Sequence, residues 1–167
     1  FLNHLFAVNG IYYVPLNPSD RTCEAIDCVY DETASIINLS SIVPYRGITM
    51  NVQKVQPYIC YNNKYIKSLY CEYNGNIENN TFYGCTGITS IVCNNSGDVE
   101  QDAFKGCTSI TGVECNNDGD IQQNTFNGCT SITKVICNNS GAIGDNAFSG
   151  CKLLDNIVLG NRVKNIG

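Results

Sequence analysis

The sequence has few of the residues and motifs on which catalytic and metal sites depend. Its single histidine, His4, lies near the N-terminus and far from any nucleophile motif, so we interpret it as a solvated residue. No Cys-x-x-Cys pair occurs, which argues against a structural zinc site. The sequence therefore predicts a protein that is not an enzyme and that requires no metal ion or cofactor.

Positive charge is scarce, and long apolar runs are absent. The 167 residues carry ten Lys and Arg against fifteen Asp and Glu, a net charge of −5. The basic residues are scattered, whereas a protein that binds nucleic acid or anionic lipid needs them clustered. No stretch approaches the roughly 18 apolar residues of a membrane-spanning helix, and no signal peptide is visible. We therefore expect neither nucleic-acid binding nor a membrane span.

The chain instead contains a tetrapeptide, Phe-x-Gly-Cys, that recurs four times at intervals of 22 residues. The four copies begin at Phe82, Phe104, Phe126 and Phe148. A fixed period of about 20 to 50 residues is typical of a stacked repeat array, in which each unit buries its apolar face against its neighbours. We therefore expect the phenylalanine rings to point inward and to support a continuous core.

Each unit contains the pattern of a short strand followed by turns. In the unit that begins at Phe104, Val113 and Cys115 alternate with Glu114, which is the period of a half-buried strand. The Asn-Asn-x-Gly segment that follows, 116–119 in this unit, predicts a turn in which Asn and Gly adopt positive φ. The polar stretch before the next Phe predicts a single helical turn.

The repeat divides the chain into an array and an N-terminal segment. Residues 55–76 align with the later units but lack the Phe-x-Gly-Cys motif, and residues 77–164 are regular. Residues 1–54 lack the period. They contain short β segments at 11–14, 35–39 and 48–52, punctuated by Pro15, Pro18 and Pro44. We therefore predict a β-rich capping segment over 1–54 and a repeat array over 55–167. Because a further unit would begin at the end of this sequence, we expect the natural chain to continue.

Eight of the eleven cysteines occupy two columns of the repeat. The columns are Cys71, Cys93, Cys115 and Cys137, and Cys85, Cys107, Cys129 and Cys151. Equivalent side chains of adjacent repeats point the same way, which is poor geometry for a disulfide, so we predict ladders of buried free thiols. Leu159 replaces a cysteine in the last unit, which indicates that its column faces the core. Outside the columns, Cys23 and Cys28 are the one plausible local pair, for which a disulfide and two free thiols both remain open.

These units resemble the BspA-like leucine-rich repeats, also called the Treponema pallidum type. The resemblance rests on segments such as 102–107, Asp-Ala-Phe-Lys-Gly-Cys, and 146–151, Asn-Ala-Phe-Ser-Gly-Cys. It implies a mostly β leucine-rich-repeat solenoid of 22–23-residue units, with short strands, short helical turns and an N-terminal β-rich cap. Members of the family are mostly secreted or surface proteins, some of them implicated in adhesion, and the repeat itself carries no known catalytic residues.

On such a solenoid, the outward positions of the strands form the candidate ligand face. They are Tyr70, Val92, Glu114, Ile136 and Val158. Three aliphatic side chains and a tyrosine in one row exceed what a solvated face requires, and such patches can mark interaction sites. The β-propensity of a surface strand is an equally good explanation. Six tyrosines between residues 58 and 83 are interpreted as the cover of a core edge.

The sequence thus predicts a non-enzymatic binding module. We expect a secreted or cell-surface protein that makes adhesion-type contacts with a protein or glycan partner. The alternative is a structural spacer, a stalk fragment of a larger surface protein with no ligand of its own. In either case we expect a monomer or end-to-end contacts between solenoids.

Overall fold

The structure is a computed structural model that describes residues 4–17 and 19–167, and the residues in these ranges form eleven strands and no helix. In chain order the strands are β1 (Phe6–Val8), β2 (Ile11–Asn17), β3 (Thr22–Cys28), β4 (Ile36–Ser40), β5 (Ile42–Tyr45), β6 (Ile48–Val55), β7 (Ser68–Glu72), β8 (Ser90–Cys93), β9 (Gly112–Cys115), β10 (Lys134–Cys137) and β11 (Asn156–Leu159). They are arranged in two sheets, with the orders β1-β2-β3-β6-β5 and β11-β10-β9-β8-β7-β4. The predominantly β architecture predicted from the sequence is confirmed.

The five-stranded sheet lies entirely in the N-terminal third of the chain. Its pairs are antiparallel except for β3 and β6, which run parallel. The three β segments predicted here correspond to β2, β4 and β6, but two of the prolines expected to punctuate them lie inside strands. Pro15 is in β2 next to a register irregularity, and Pro44 is in β5, an edge strand. Edges and irregularities are where a sheet tolerates the missing N–H of proline. Pro18 lies outside the described residues.

The six-stranded sheet is parallel and follows the repeat. Each of the strands β7 to β11 pairs with the next at an offset of 22 residues, as in Val113 with Val135. Isolated bridges such as Val99 with Ile121 form a second seam on the far side of each unit. The two seams stack the repeats on one another. β4, which precedes the predicted array, also belongs to this sheet and pairs in parallel with β7. The division at residue 54 stays a prediction.

The apolar side of the parallel sheet faces a core that runs the length of the stack. Phe82, Phe104 and Phe126 are fully buried, and Phe148, in the last unit, is packed against the core but partly exposed. Their rings stack with centroids 5.2 to 5.4 Å apart and nearly parallel planes. The predicted inward placement of the rings is confirmed. Leu159 occupies the cysteine register, paired with Cys137, yet it is exposed because β11 is the edge of the sheet.

The turns differ from the sequence prediction. No helical turn forms before Phe126, because Asn124 (φ 57°) adopts a left-handed backbone conformation and interrupts the run. The Asn-Asn-x-Gly segments, by contrast, are not left-handed. Gly119 is needed there for another reason. A Cβ atom at Gly119 would lie 2.8 Å from backbone atoms of the preceding repeat, so the stacking itself requires glycine.

Candidate functional site

The five predicted ligand-face residues lie in one row across the parallel sheet. Strand pairing sets Tyr70, Val92, Glu114, Ile136 and Val158 side by side on β7 to β11. They face outward because their sequence neighbours on β7 to β10, such as Val113 and Cys115, are buried in the core. In a parallel sheet, neighbouring strands are about 4.8 Å apart, so the row is a continuous strip. The structure therefore brings all five residues together.

The strip is apolar apart from its centre. Tyr70 is 60% exposed, Val92 39% and Val158 46%, and the Ile136 side chain is half-buried. Glu114, also half-buried, accepts a hydrogen bond of 2.8 Å on Oε1 from the Asn116 side-chain amide. The carboxylate is thereby held toward Asn116. The face offers apolar contact area with one fixed acidic group, a composition suited to binding.

A row of asparagines borders the strip. Asn116 donates from Nδ2 to Asn94 Oδ1, and Asn138 donates from Nδ2 to Asn116 Oδ1, both at 3.0 Å. The sequence analysis assigned these residues only to turns. The signal that would have found them is the period itself, which puts identical side chains in register at the ends of adjacent strands. The row adds ordered amide groups beside the apolar strip.

Gly112 leaves a gap on the same face. It is the β9 member of an outward row whose other members on β8 and β10 are Ser90 and Lys134. A shallow depression of about 220 Å³ lies over it. Its lining consists of Ser90, Ile91, Val92, Gly112, Val113, Glu114, Lys134 and Ile136. The sequence analysis did not single out this glycine.

A second asparagine column is buried beneath this face and holds the repeats at a fixed spacing. Asn117 is fully buried, and its Nδ2 donates to the carbonyls of Gly97, Gly119 and Asp120 at 3.2, 3.2 and 3.3 Å. Asn95 makes the equivalent three bonds, and Asn139 makes two of them. One amide thus closes its own turn and ties it to the preceding repeat. The Asn-Asn pair therefore has a first member that is at least partly exposed and a second that is buried, and the two have separate roles.

The cysteine columns are packing elements without reactive character. All eight are buried free thiols, as predicted. The Cys129 thiol donates at 3.2 Å to the carbonyl oxygen of Phe104 in the preceding repeat, and Cys107 donates in the same way to Phe82. Burial raises the pKa of Cys129 to about 12. A thiol that stays protonated is a poor nucleophile, which fits a packing role for Cys129.

The repeats match the pattern of the BspA type leucine rich repeat region, which is found in six copies over residues 45–167. This range covers most of the chain and includes all of β7 to β11. The chain belongs to the BspA-type leucine-rich repeat family.

Two solved structures share this fold. The leucine-rich repeat protein of T. pallidum is 19% identical with a TM-score of 0.53, and the alignment covers 97% of this chain and 85% of that protein. A leucine rich cell surface protein of Faecalibacterium prausnitzii is 17% identical with a TM-score of 0.51, and the alignment covers 93% of this chain and 54% of that one. The chain thus spans about half the length of the F. prausnitzii protein. No curated protein matches it.

The Cys23–Cys28 disulfide, which the sequence left open, does not form, because the structure pairs Cys28 with Cys60 and leaves Cys23 as a buried free thiol. Cys23 and Cys28 lie on the same strand, β3, so five extended residues, about 16 Å, separate them. A disulfide allows Cα separations of only about 4.4–6.8 Å, and the Cα atoms of Cys28 and Cys60 are 5.2 Å apart. This bond fastens the N-terminal sheet to the first unit of the BspA-type array.

Several tyrosines cover the junction between the N-terminal sheet and the BspA-type repeats. The Tyr61 ring stacks on Tyr83 with centroids 5.0 Å apart, and Tyr58 packs against Tyr61. The Tyr30 hydroxyl donates to the Tyr61 carbonyl at 2.8 Å. These contacts support the interpretation of the tyrosines as the cover of a core edge. His4, interpreted from the sequence as solvated, is half-buried.

Neither a metal cluster nor a membrane-spanning helix is found in the part of the chain that the structure describes. Residues 4–17 and 19–167 contain no group of three or more His, Cys, Asp or Glu side chains that could hold a metal ion. The same residues contain no helix long and apolar enough to cross a membrane.

Proposed function

We propose that this chain is a non-enzymatic binding module whose ligand face is the outward strip Tyr70, Val92, Glu114, Ile136 and Val158. The stacked repeats are taken to form a solenoid that presents this face to a protein or glycan partner outside the cell. The observation that carries the proposal is the strip itself. It is a continuous, largely apolar row that stays at least partly exposed, although the opposite side of β7 to β10 is buried.

Two further observations support an extracellular setting. Disulfides persist in oxidising compartments such as the secretory pathway and the cell surface, and Cys28 and Cys60 form one here. The F. prausnitzii protein with the same fold is described as a cell surface protein. The remaining cysteines are buried, which makes them compatible with such a setting, because buried thiols that stay protonated neither oxidise readily nor attack a disulfide.

The proposal is tested with a triple variant, Tyr70→Ala, Glu114→Ala and Ile136→Ala. Wild type and variant are screened against immobilised extracellular-matrix proteins, cultured cells, and an array of neutral, sialylated and sulfated glycans. We expect wild type to bind a partner and the triple variant to lose that binding while keeping its far-ultraviolet circular dichroism spectrum, since all three side chains point away from the core.

A matched control removes three exposed side chains outside the parallel sheet, Tyr58→Ala, Gln101→Ala and Gln123→Ala. Binding should survive in this control. Equal loss of binding in both variants would contradict the assignment of the ligand face. A wild-type protein that binds nothing in any arm of the screen would favour the structural spacer instead.

A further inference from the structure

Gly112 differs from every other glycine of the chain in its surroundings. Each of the other fourteen either has a positive φ or would place a Cβ atom within 3.0 Å of a neighbouring atom. A Cβ built on Gly112 meets nothing within 4 Å, and its φ is outside the left-handed region. The backbone and the space around it therefore leave room for a Cβ atom at this position.

Gly112 is the first residue of β9, and glycine is a poor residue for a strand. It loses more conformational freedom on folding than any other residue and contributes no side chain to the face. At the equivalent position, the strands on both sides of β9 carry a side chain, Ser90 and Lys134. A glycine inside a strand that neither a bulge nor close stacking explains is typical of a site where a ligand approaches the backbone.

The missing side chain creates a bounded depression. Ser90 and Lys134 lie two strand spacings apart, about 10 Å, on either side of Gly112. Val92 and Ile136 form apolar walls on the neighbouring strands, and the buried strand residues Ile91 and Val113 line it from below. The Glu114 carboxylate is held toward Asn116 by its 2.8 Å hydrogen bond, on the side away from Gly112. The space over Gly112 is thus open and mainly apolar, with polar groups at its rim.

We propose that this depression, the Gly112 socket, accepts one aliphatic or aromatic side chain of a polypeptide partner. The inference rests on the ligand face proposed above and names the chemistry of its ligand. At about 220 Å³, the socket is smaller than the roughly 300–1,000 Å³ of a typical small-molecule site. It therefore fits a single side chain. An apolar anchor in a central pocket with a polar rim is the usual anatomy of a protein–protein hot spot.

The walls and the rim favour a polypeptide over a glycan. A sugar ring buried between Val92 and Ile136 would leave hydroxyl groups without hydrogen-bond partners, which is unfavourable. The rim carries one carboxylate, Glu114, and one ammonium, Lys134, so it selects no strongly charged ligand. Such a rim complements the alternating N–H and C=O groups of an extended peptide that places its apolar side chain in the socket.

The test fills the socket without disturbing the fold. Gly112→Thr introduces a side chain that suits a strand and whose Cβ atom has no neighbour within 4 Å, so the thermal midpoint of the variant should equal or exceed that of wild type. A random 12-residue peptide library on phage is panned against immobilised wild-type protein, and enriched peptides are synthesised. We expect them to share an apolar position, to bind Gly112→Thr at least about 30-fold more weakly, the size of a hot-spot effect, and to bind the control Ser68→Thr within about twofold.

Other outcomes overturn the inference. The inference fails if the library yields no enriched peptide, or if the enriched peptides bind Gly112→Thr as well as they bind wild type. It also fails if the apolar residue that the peptides share can be replaced by alanine without loss of binding. Glycan binding that is sensitive to Gly112→Thr in the absence of peptide binding would also overturn it, since the occupant would then be a sugar. If the partner found in the binding screen is lost with the triple variant but retained by Gly112→Thr, the socket fails and the ligand face stands. Partner binding that survives the triple variant removes the ligand face instead.

Discussion

Replacing Phe126 by alanine removes the ring at the centre of the phenylalanine stack. Phe126 is fully buried, and its centroid lies 5.4 Å from that of Phe104 and 5.3 Å from that of Phe148, with interplanar angles of 7° and 4°. Its N–H donates to the Ala147 carbonyl at 2.8 Å, and its carbonyl accepts the Cys151 thiol at 3.3 Å. Both neighbouring rings and the main chain are therefore held in place around the cavity that the substitution would leave.

The expected cost follows from that rigidity. Phe→Ala substitutions in cores destabilise by about 3–5 kcal/mol, and the cost is higher where the site cannot collapse. Each stacked ring pair contributes roughly 0.5–1.5 kcal/mol beyond area burial. With a ring partner on each side and a main chain held by hydrogen bonds, Phe126→Ala should fall in the upper part of that range, about 4–5 kcal/mol. Phe148 is partly exposed and stacks on one ring only, so Phe148→Ala should cost about 2 kcal/mol less.

Urea denaturation followed by far-ultraviolet circular dichroism measures both values. The slope of unfolding free energy against urea should be the same in wild type and both variants, because the surface exposed on unfolding barely changes. A loss below about 1 kcal/mol for Phe126→Ala, or a loss no larger than that of Phe148→Ala, would refute the argument that the stack is the main support of the array.

Four further predictions concern the elements that hold the repeats together. Asn117→Ala removes the three hydrogen bonds that this buried amide donates and should cost about 2–3 kcal/mol in urea denaturation, whereas Asn116→Ala, at a partly exposed position, should cost under about 1 kcal/mol. Reduction of the Cys28–Cys60 disulfide, which closes a loop of 32 residues, should lower the unfolding free energy by about 3–4 kcal/mol, and a Cys28→Ala, Cys60→Ala variant should be insensitive to the reductant. Thiol labelling of unreduced protein should find the nine free cysteines blocked in the folded state and reactive in guanidinium; eleven reactive thiols would contradict the disulfide. Burial raises the pKa of the Cys129 thiol from 9.0 to about 12, so between these two pH values only the unfolded chain releases the thiol proton. The unfolding free energy should therefore be unaffected below pH 9 and should fall above it by about 1.4 kcal/mol per pH unit for each such thiol. A urea midpoint that does not change up to pH 10.5 would contradict this.

Much of the candidate site could be predicted from the sequence because the period supplies the register. Once residues 22 apart are known to stack, Tyr70 must lie near Val92 and Val92 near Glu114. The alternation along each strand then decides which row faces outward. The binding role of that row is a separate matter, since β-propensity alone would also place aliphatic residues there.

What the sequence missed has a common physical origin. A period relates each residue to its counterparts in other units, but it does not say how a turn is oriented within a unit. The two members of each Asn-Asn pair look equivalent in the sequence, yet Asn116 is partly exposed just after β9 and Asn117 is buried with three acceptors. Likewise, nothing local distinguishes Gly112 from glycines such as Gly119 that the stacking requires.

The sequence by itself determined the repeat, its register, the inward phenylalanines and the buried cysteine columns, because all of these follow from one interval applied to one unit. The tertiary structure alone decided the contacts that the interval does not relate. Cys28 meets Cys60 only because the N-terminal sheet packs on the first repeat, and β4 joins the parallel sheet from outside the regular array. The Gly112 socket exists only where three neighbouring strands lie side by side. Contacts between segments with no sequence relation depend on the packing of the whole chain.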